Sequence, residues 1–474
     1  MTNLGWQKSV YDFTLVNRIT PVFESRYNQL WLFSHLLYSK LALKRKWIKP
    51  PPPENDDGTP SQSEACHGGF ISDLAFSSDG RYLVAGSTSC DVYVFDPNTT
   101  RPEIIIHRAN PDAITRVCFT GNTKFVSGSA NGSLMLWDVR RTSEAVCSLV
   151  GHTKVIRSTD YDSEEDILVT SASDDQIRYW KVAECQLLRQ DGSGDEGVAN
   201  QPCDVLLSCL NVSLACMSLS CKKLAFITTS GSLFIVDNLD INRLKADMHR
   251  FRFDNSILLQ LSWFNPNSAL NSRNRLRVIE SDDIVPASLA KITKVNYMGF
   301  HNTLPLLVAR VTTSRQLMFG QEKKEWTCGY NLQEMSDTAA LYYSHKCMSS
   351  FGSDVIQEKL TYSTEEERYN PLREKRLSFS GCGRLIASPG KRGIRLLSYS
   401  NALNMPFDMK AGGRKQSPFL SSDSLWSSST TDFNVFSNIE MPENSSVCTK
   451  FSPHDYMLAV GDINNQVYFF QPVL

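Results

Sequence analysis

Between residues 70 and 183 the chain alternates short apolar runs with polar turns. Phe125-Val126-Ser127-Gly128-Ser129 is followed by the turn Ala130-Asn131-Gly132-Ser133 and then by Leu134-Met135-Leu136-Trp137. Alternating apolar positions bounded by Gly, Ser, Asn and Asp carry the period of half-buried strands. The same frame returns at 168–183, from Leu168-Val169-Thr170 through Asp174 to Tyr179-Trp180-Lys181. Phe95-Asp96, Trp137-Asp138 and Trp180-Lys181 end corresponding strands, and they stand about 42 or 43 residues apart. A unit of four strands cannot cover both of its faces, so neighbouring units must stack on it. The period therefore predicts an all-β, closed propeller.

The frame resembles WD repeats. Unit three carries Gly151-His152, Thr170, Asp174 and Trp180, and in that family these positions form a buried hydrogen-bond chain. The resemblance implies a structural, blade-core role for Trp137, Asp138, His152, Thr170, Asp174 and Trp180. Unit two departs from it, with Asn110 and Asn131 at the His and Asp positions. Unit one runs Gly68–Pro97 with a Ser77-Ser78-Asp79-Gly80 turn, and unit four covers about 205–245. Late units contain Leu385–Ser388 with Ile394–Ser398, then Tyr456–Gly461 with Gln466–Phe470. The stretch 250–345 is expected to supply about two more, from Ile257–Phe264, Val295–Phe300, Leu304–Val311 and Leu317–Phe319. The count is seven blades, with six or eight also compatible.

Residues 1–50 do not follow the repeat. Thr20-Pro21 suits a helix start, and Tyr27, Leu30, Trp31, Leu37 and Leu41 fall on one helical face. Lys40, Lys44, Arg45 and Lys46 suit a helix C-terminus, and Pro50–Pro53 ends any helix. The expected organisation is a helical arm at 1–49, a polar Pro-rich linker at 50–65 and the propeller at 66–474. Loop insertions are expected near 186–203, 267–290 and 402–437. The helix, read as Pro21–Lys46, has two burial sites open to it. One is the propeller's outer surface, with residues near Phe13–Ile19 supplying a blade-closing strand. The other, which the loosening linker favours, is a groove on a partner.

Composition narrows the function. The net charge is −1, and no basic stripe marks a nucleic-acid groove. Thirteen cysteines without a Cys-x-x-Cys pair fit reduced thiols inside the cell, in cytoplasm or nucleus. The most apolar segment, Leu30–Leu43, is too short to span a bilayer, and no signal peptide is apparent. There is no phosphate loop, nucleophile elbow or metal-spaced Cys/His cluster, so no enzyme, cofactor or metal is expected. Asp282-Asp283 and Glu365-Glu366-Glu367 read as solvated carboxylate runs.

The box ending Trp137-Asp138-Val139-Arg140 resembles the signature of WD-repeat substrate receptors of cullin-4 RING ubiquitin ligases. Asn131 departs from it, since the signature prefers Asp or Glu there, and the second box ends in Val182-Ala183 without an arginine. The similarity extends over about 66–245 and 372–474. It implies a non-catalytic substrate-recognition subunit that binds the adaptor, damaged-DNA-binding protein one, with its cullin-4 core, and presents substrates for ubiquitination. Arg140 is the implied adaptor contact. Tyr27, Leu30, Trp31, Leu37 and Leu41 join it if the arm docks there. The alternative is a generic WD scaffold of another multiprotein complex.

Overall fold

The structure is a computed structural model. It describes residues 37–49, 69–163, 165–187, 203–208, 212–218, 223–228, 233–237, 241, 275–279, 292–300, 306–317, 320–331, 360–365, 376–380, 385–390, 393–398, 431–432, 434–441 and 446–473. Their strands form seven hydrogen-bonded sheets. Six are four-stranded blades. In chain order, with strands a to d, blade 1 is Ile71–Phe76, Leu83–Ser87, Val92–Asp96 and Arg101–Ile106. Blade 2 is Ile114–Phe119, Lys124–Ser129, Leu134–Asp138 and Cys147–Leu149. Blade 3 is Ile156–Asp162, Ile167–Ala172, Gln176–Lys181 and Cys203–Ser208. Blade 4 is Val212–Ser218, Lys223–Thr228, Leu233–Asp237 and Arg275–Ile279. Blade 6 is Ser378–Phe379, Leu385–Pro389, Gly393–Ser398 and Asn434–Glu440. Blade 7 takes Ser446–Phe451, Leu458–Asp462 and Gln466–Pro472 from the C-terminal region, and Leu41–Ile48 from the N-terminal region. The remaining sheet, sheet 5, has five strands: Ile292–Phe300, Leu306–Leu317, Gly320–Asn331, Leu360–Glu365 and the parallel Thr431–Asp432.

First strands touch one another from blade 1 through sheet 5, from blade 6 to blade 7 and from blade 7 to blade 1, and Val308 of sheet 5 packs with Leu377, Ile386 and Leu397 of blade 6, so strand a lies innermost and the ring closes. Six of these inner strands carry a register shift one or two residues from their start, for example between Ile71 and Asp73 and between Ile114 and Arg116. A bulge there adds local twist and re-aims the residues that follow. Blades pack through a repeated steric match. A Cβ on Gly86, Gly128 or Gly461 would meet the Cγ2 of Ile114, Ile156 or Ile71, each the first inner-strand residue of the next blade, at 2.7, 3.0 and 2.5 Å. Only the absence of a side chain admits the neighbouring isoleucine. Arg376, just before the inner strand of blade 6, forms an ion pair with Asp73 and donates to the Thr115 carbonyl at 2.6 Å, tying blade 6 to blades 1 and 2. Arg310 of sheet 5 is fully buried. It pairs with Glu325 at 2.9 Å and donates to Ser388 Oγ and the Pro389 carbonyl of blade 6.

The closing strand corrects the reading of the N-terminal segment as a helical arm. Among the described residues of that segment only 37–39 are helical, and Leu41–Ile48, expected to end the helix, pairs antiparallel with Gln466–Pro472. Helical spacing of Leu37 and Leu41 lost to the open edge of blade 7, whose unpaired backbone groups the strand satisfies. Trp47 then packs against Tyr93 and Phe95 of blade 1, with ring centroids 4.7 and 5.3 Å away. Tyr38 meets Phe451 and Tyr456 edge-on. The blade-closing strand is thus not Phe13–Ile19, which lies outside the described residues, as do Tyr27, Leu30, Trp31 and the 50–65 linker.

The stretch 250–345 also differs from expectation. Arg275–Ile279, inside the expected 267–290 insertion, is the outer strand of blade 4, and the other described residues of the stretch contribute to one sheet rather than about two blades. Val295–Phe300 and most of Leu304–Val311 are strands of that sheet, while Ile257–Phe264 lies outside the described residues. The expected 402–437 insertion contains Thr431–Asp432 and the start of Asn434–Glu440, so the chain visits the edge of sheet 5 before completing blade 6. No helix among the described residues is long and apolar enough to cross a membrane.

Candidate functional site

Each blade offers two ends. One carries the a–b turns and c–d connections, the other the b–c turns and d–a connections. The two polar systems singled out in the sequence separate onto these ends.

On the b–c side, four turns place one residue at positive φ one or two positions before strand c: Cys90, Gly132, Asp175 and Asn465. In blade 3 the preceding Asp174 accepts from His152 Nδ1 at 2.9 Å, from the Thr153 backbone N–H at 3.0 Å and from that of Gln176 at 3.2 Å. His152 Nε2 lies 2.8 Å from Thr170 Oγ1, and Trp180 Nε1 donates to the same oxygen at 2.9 Å. The tautomer with Nδ1 protonated satisfies the whole chain. Burial alone would raise the Asp174 carboxyl, but the hydrogen bonds from His152, Thr153 and Gln176 hold it below its ordinary value. Every donor of this buried chain is spent on a neighbour, so the chain braces the blade and presents no reactive group.

Blade 2 builds a variant of the chain. Trp137 Nε1 donates to Ser127 Oγ at 3.1 Å, Ser127 Oγ donates to Asn110 Oδ1, and Asn110 Nδ2 donates to Ser133 Oγ at 3.4 Å. Asn131 takes the turn role, accepting from Ser129 Oγ and from the Ser133 N–H. Where strand c bears Phe95 or Phe470 instead of Trp, the strand-b residue matching Ser127 or Thr170 is Ala85 or Val460. Without an indole N–H, a buried hydroxyl there would be unsatisfied.

Asp138 belongs to the other end. The sequence groups it with the blade-core residues, but its carboxylate leaves the Trp137 chain and turns to Arg140. Arg140 Nε donates to Oδ1 at 3.0 Å, Nη2 to Oδ2 at 2.7 Å, and the Arg140 backbone N–H to Oδ1 at 3.0 Å. Hydrogen bonds from Arg140 lower the Asp138 carboxyl below its usual value. The Arg141 N–H donates to the Asp138 carbonyl and the Val139 N–H to that of Thr123, closing a rigid turn after strand c. Two carboxylate oxygens thereby fix one edge of the guanidinium of a side chain that is 67% exposed. The arrangement presents a planar, charged multi-donor group at a fixed angle, which is recognition geometry rather than catalysis.

Leu37 lies on this same side. The closing strand begins opposite Pro472, at the end of blade 7 where its strand c finishes, and Tyr38 packs on Tyr456 of that blade's a–b turn. Leu37 is buried and Leu41 half-buried, so the structure gives these two to the propeller's own packing. Among the described residues, no group of three or more His, Cys, Asp or Glu side chains is placed to hold a metal ion.

Comparison with known proteins agrees with this architecture. The family model for the WD domain, G-beta repeat, matches residues 58–96, 103–138 and 143–181. The chain is similar to DDB1- and CUL4-associated factor 10 of Xenopus tropicalis, 24% identical over 436 residues and covering 85% of each chain. It is likewise similar to DDB1- and CUL4-associated factor 10 of Homo sapiens, 23% identical over 429 residues, covering 85% of this chain and 70% of that protein. Among solved structures, the β-propeller domain of Myceliophteria thermophila Cps50 (Swd1) superposes with a TM-score of 0.50 at 12% identity. That match covers 92% of this chain and all of that one, and it bears on the fold alone. The chain is an all-β propeller that matches the WD domain model over its first three blades and is similar to the DDB1- and CUL4-associated factors named above.

Proposed function

We propose that this protein is a non-catalytic substrate-recognition subunit of a cullin-4 RING ubiquitin ligase, and that it docks the DDB1 adaptor on the face of the a–b turns. In this reading sheet 5 serves as the seventh blade, the ubiquitin chemistry belongs to other subunits, and the protein acts by holding two partners at once. The observation that carries it is the Asp138-held, exposed Arg140 on the face where Leu37 joins the chain to the propeller. That combination gives one partner a fixed arginine beside the junction that closes the propeller. An arginine prepaid in orientation loses less freedom on binding, as interface anchors require. The names of the relatives point to the same assembly.

The test is adaptor binding by the full chain. Arg140→Ala should keep the wild-type melting temperature, because the side chain is exposed and its hydrogen bonds run to Asp138 at the surface. Its affinity for purified adaptor should fall on the order of tenfold or more. Wild-type affinity in that variant refutes the role of Arg140. A wild-type protein that does not bind the adaptor refutes the function.

A further inference from the structure

Blades 1 and 2 meet in a rigid seam on the end that carries Arg140. Ser78 Oγ of the blade 1 a–b turn donates to Asn122 Oδ1 of the blade 2 a–b turn at 2.5 Å. The two blades also share one core cluster, in which Ala75 and Val84 of blade 1 join Phe119, Trp137 and Val139 of blade 2. Tyr82, directly before strand b of blade 1, is half-buried and packs on that cluster. Both of its backbone groups are held by the a–b turn. Its N–H donates to Ser77 Oγ at 3.0 Å, and its carbonyl accepts from the Ser77 N–H at 2.9 Å. Turn and seam together fix where the ring sits.

Tyr82 and Arg140 both keep unused hydrogen-bond donors at this seam. Of the five N–H donors of a guanidinium, Asp138 takes one on Nε and one on Nη2 of Arg140. The others have no acceptor among the described residues. The Tyr82 hydroxyl likewise makes no hydrogen bond among the described residues and is open to solvent. It is near enough to Arg140 to act on that charge, after the stronger action of Asp138. Asp138 supplies the countercharge to Arg140 at 2.7 Å, so the pair is neutral as a whole while its remaining donors stay exposed. An incoming carboxylate would stand beside Asp138, with one guanidinium between two negative charges. A backbone carbonyl accepts the same hydrogen bonds without that repulsion.

We propose that Tyr82 is a second contact of the adaptor site, and that Tyr82 and Arg140 together receive one segment of the adaptor through a backbone carbonyl. This rests on the adaptor reading above and adds a residue of blade 1 and the chemistry of the contact. Tyrosine and arginine are the side chains that anchor interfaces most often. A ring already packed on the seam and a guanidinium already braced by Asp138 lose little freedom on binding.

The experiment measures the affinity of the full chain for purified adaptor, with melting temperatures taken alongside. Tyr82→Phe keeps the ring and removes only the hydroxyl, so it should melt like the wild type and bind roughly two- to tenfold more weakly. Arg140→Lys keeps the charge without the planar fork, so it should lose about as much affinity as Arg140→Ala. Asp138→Asn removes half of the brace and should also weaken binding. In the Tyr82→Phe/Arg140→Lys double variant the loss should be less than additive, because both side chains serve one carbonyl. Wild-type affinity in Tyr82→Phe, with binding lost in Arg140→Ala, overturns the role of Tyr82 and leaves the adaptor reading standing. Wild-type affinity in Arg140→Lys, or tighter binding in Asp138→Asn, overturns the carbonyl contact in favour of a charged acceptor. Fully additive losses overturn the shared contact. A wild-type protein that does not bind the adaptor removes both the proposal and the reading beneath it.

Discussion

Trp180 is where the fold can be tested most sharply, because packing and hydrogen bonding meet in one side chain. It is fully buried, and its cluster includes Val126, Leu136 and Leu149 of blade 2 together with Ile156 and Leu168 of its own blade. A Cβ on Gly151 would sit 3.0 Å from its ring edge. Burying about 200 Å² of indole at about 25 cal/mol per Å² gives roughly 5 kcal/mol. Part of this survives in an alanine, while a cavity between two blades adds cost, so Trp180→Ala should lose about 3–5 kcal/mol. Trp180→Phe keeps most of the apolar contact and drops the bond to Thr170, whose hydroxyl still has His152. It should lose about 1–2 kcal/mol. Urea unfolding followed by far-ultraviolet circular dichroism, at constant slope, gives both values. A Trp180→Ala protein within about 1 kcal/mol of wild type would show that the indole is not the wedge between blades 2 and 3. Equal losses in Ala and Phe would assign the effect to the hydrogen bond instead.

Three other outcomes follow from the geometry. Deleting residues 1–36 should leave a folded propeller, whereas deleting 1–49 removes the closing strand and should yield aggregated or unfolded protein; size-exclusion chromatography separates the two. Asp174 has a folded-state carboxyl below its unfolded value, so its stabilisation is complete above the unfolded value, near pH 4, and is lost as pH falls through the folded one. Asp174→Asn should therefore show a flatter acid limb below about pH 5 in pH-dependent urea midpoints, and an unchanged limb refutes the pairing. Gly132→Ala should cost at least about 1–2 kcal/mol, since φ is +93° and the new Cβ would meet the His152 carbonyl oxygen at 2.8 Å; a neutral melting curve refutes that turn geometry.

Much of blades 1 to 3 was legible because each local choice agrees with its neighbours. Trp137 and Trp180 announce an indole N–H that needs an acceptor, and Ser127 and Thr170 lie opposite on strand b. The Ser-Gly-Ser of the first box is explained by Ile156, which fills the space above Gly128. Asp138 was harder, because its type and position fit either a blade-core chain or a rim pair. Only the folded turn shows that its partner is two residues away. Sheet 5 was nearly opaque. Its second and third strands are 12 residues each and carry charged pairs, with Arg310 and Glu325 buried against each other, where the repeat would place apolar residues. A buried ion pair reads as surface in a single sequence, because only a tertiary partner makes its burial tolerable.

That closure also explains the misreading of the N-terminal segment. Leu37 and Leu41 satisfy a helical spacing with residues before them, and the lysines that follow suit a helix end. Local propensity has nothing to set against this, since a strand of Leu, Ala, Lys, Arg, Trp and Ile has no hairpin partner nearby in sequence. Its partner is Gln466–Pro472, more than 400 residues away, and it is the edge of that strand that selects the extended form. A ring of sheets leaves one edge unpaired unless the two ends of the chain share a blade. Closing the ring this way makes the first described residues part of the same face that carries Arg140. Whatever binds that face therefore meets the junction that holds the propeller shut, so binding there and stability of the closure are thermodynamically linked.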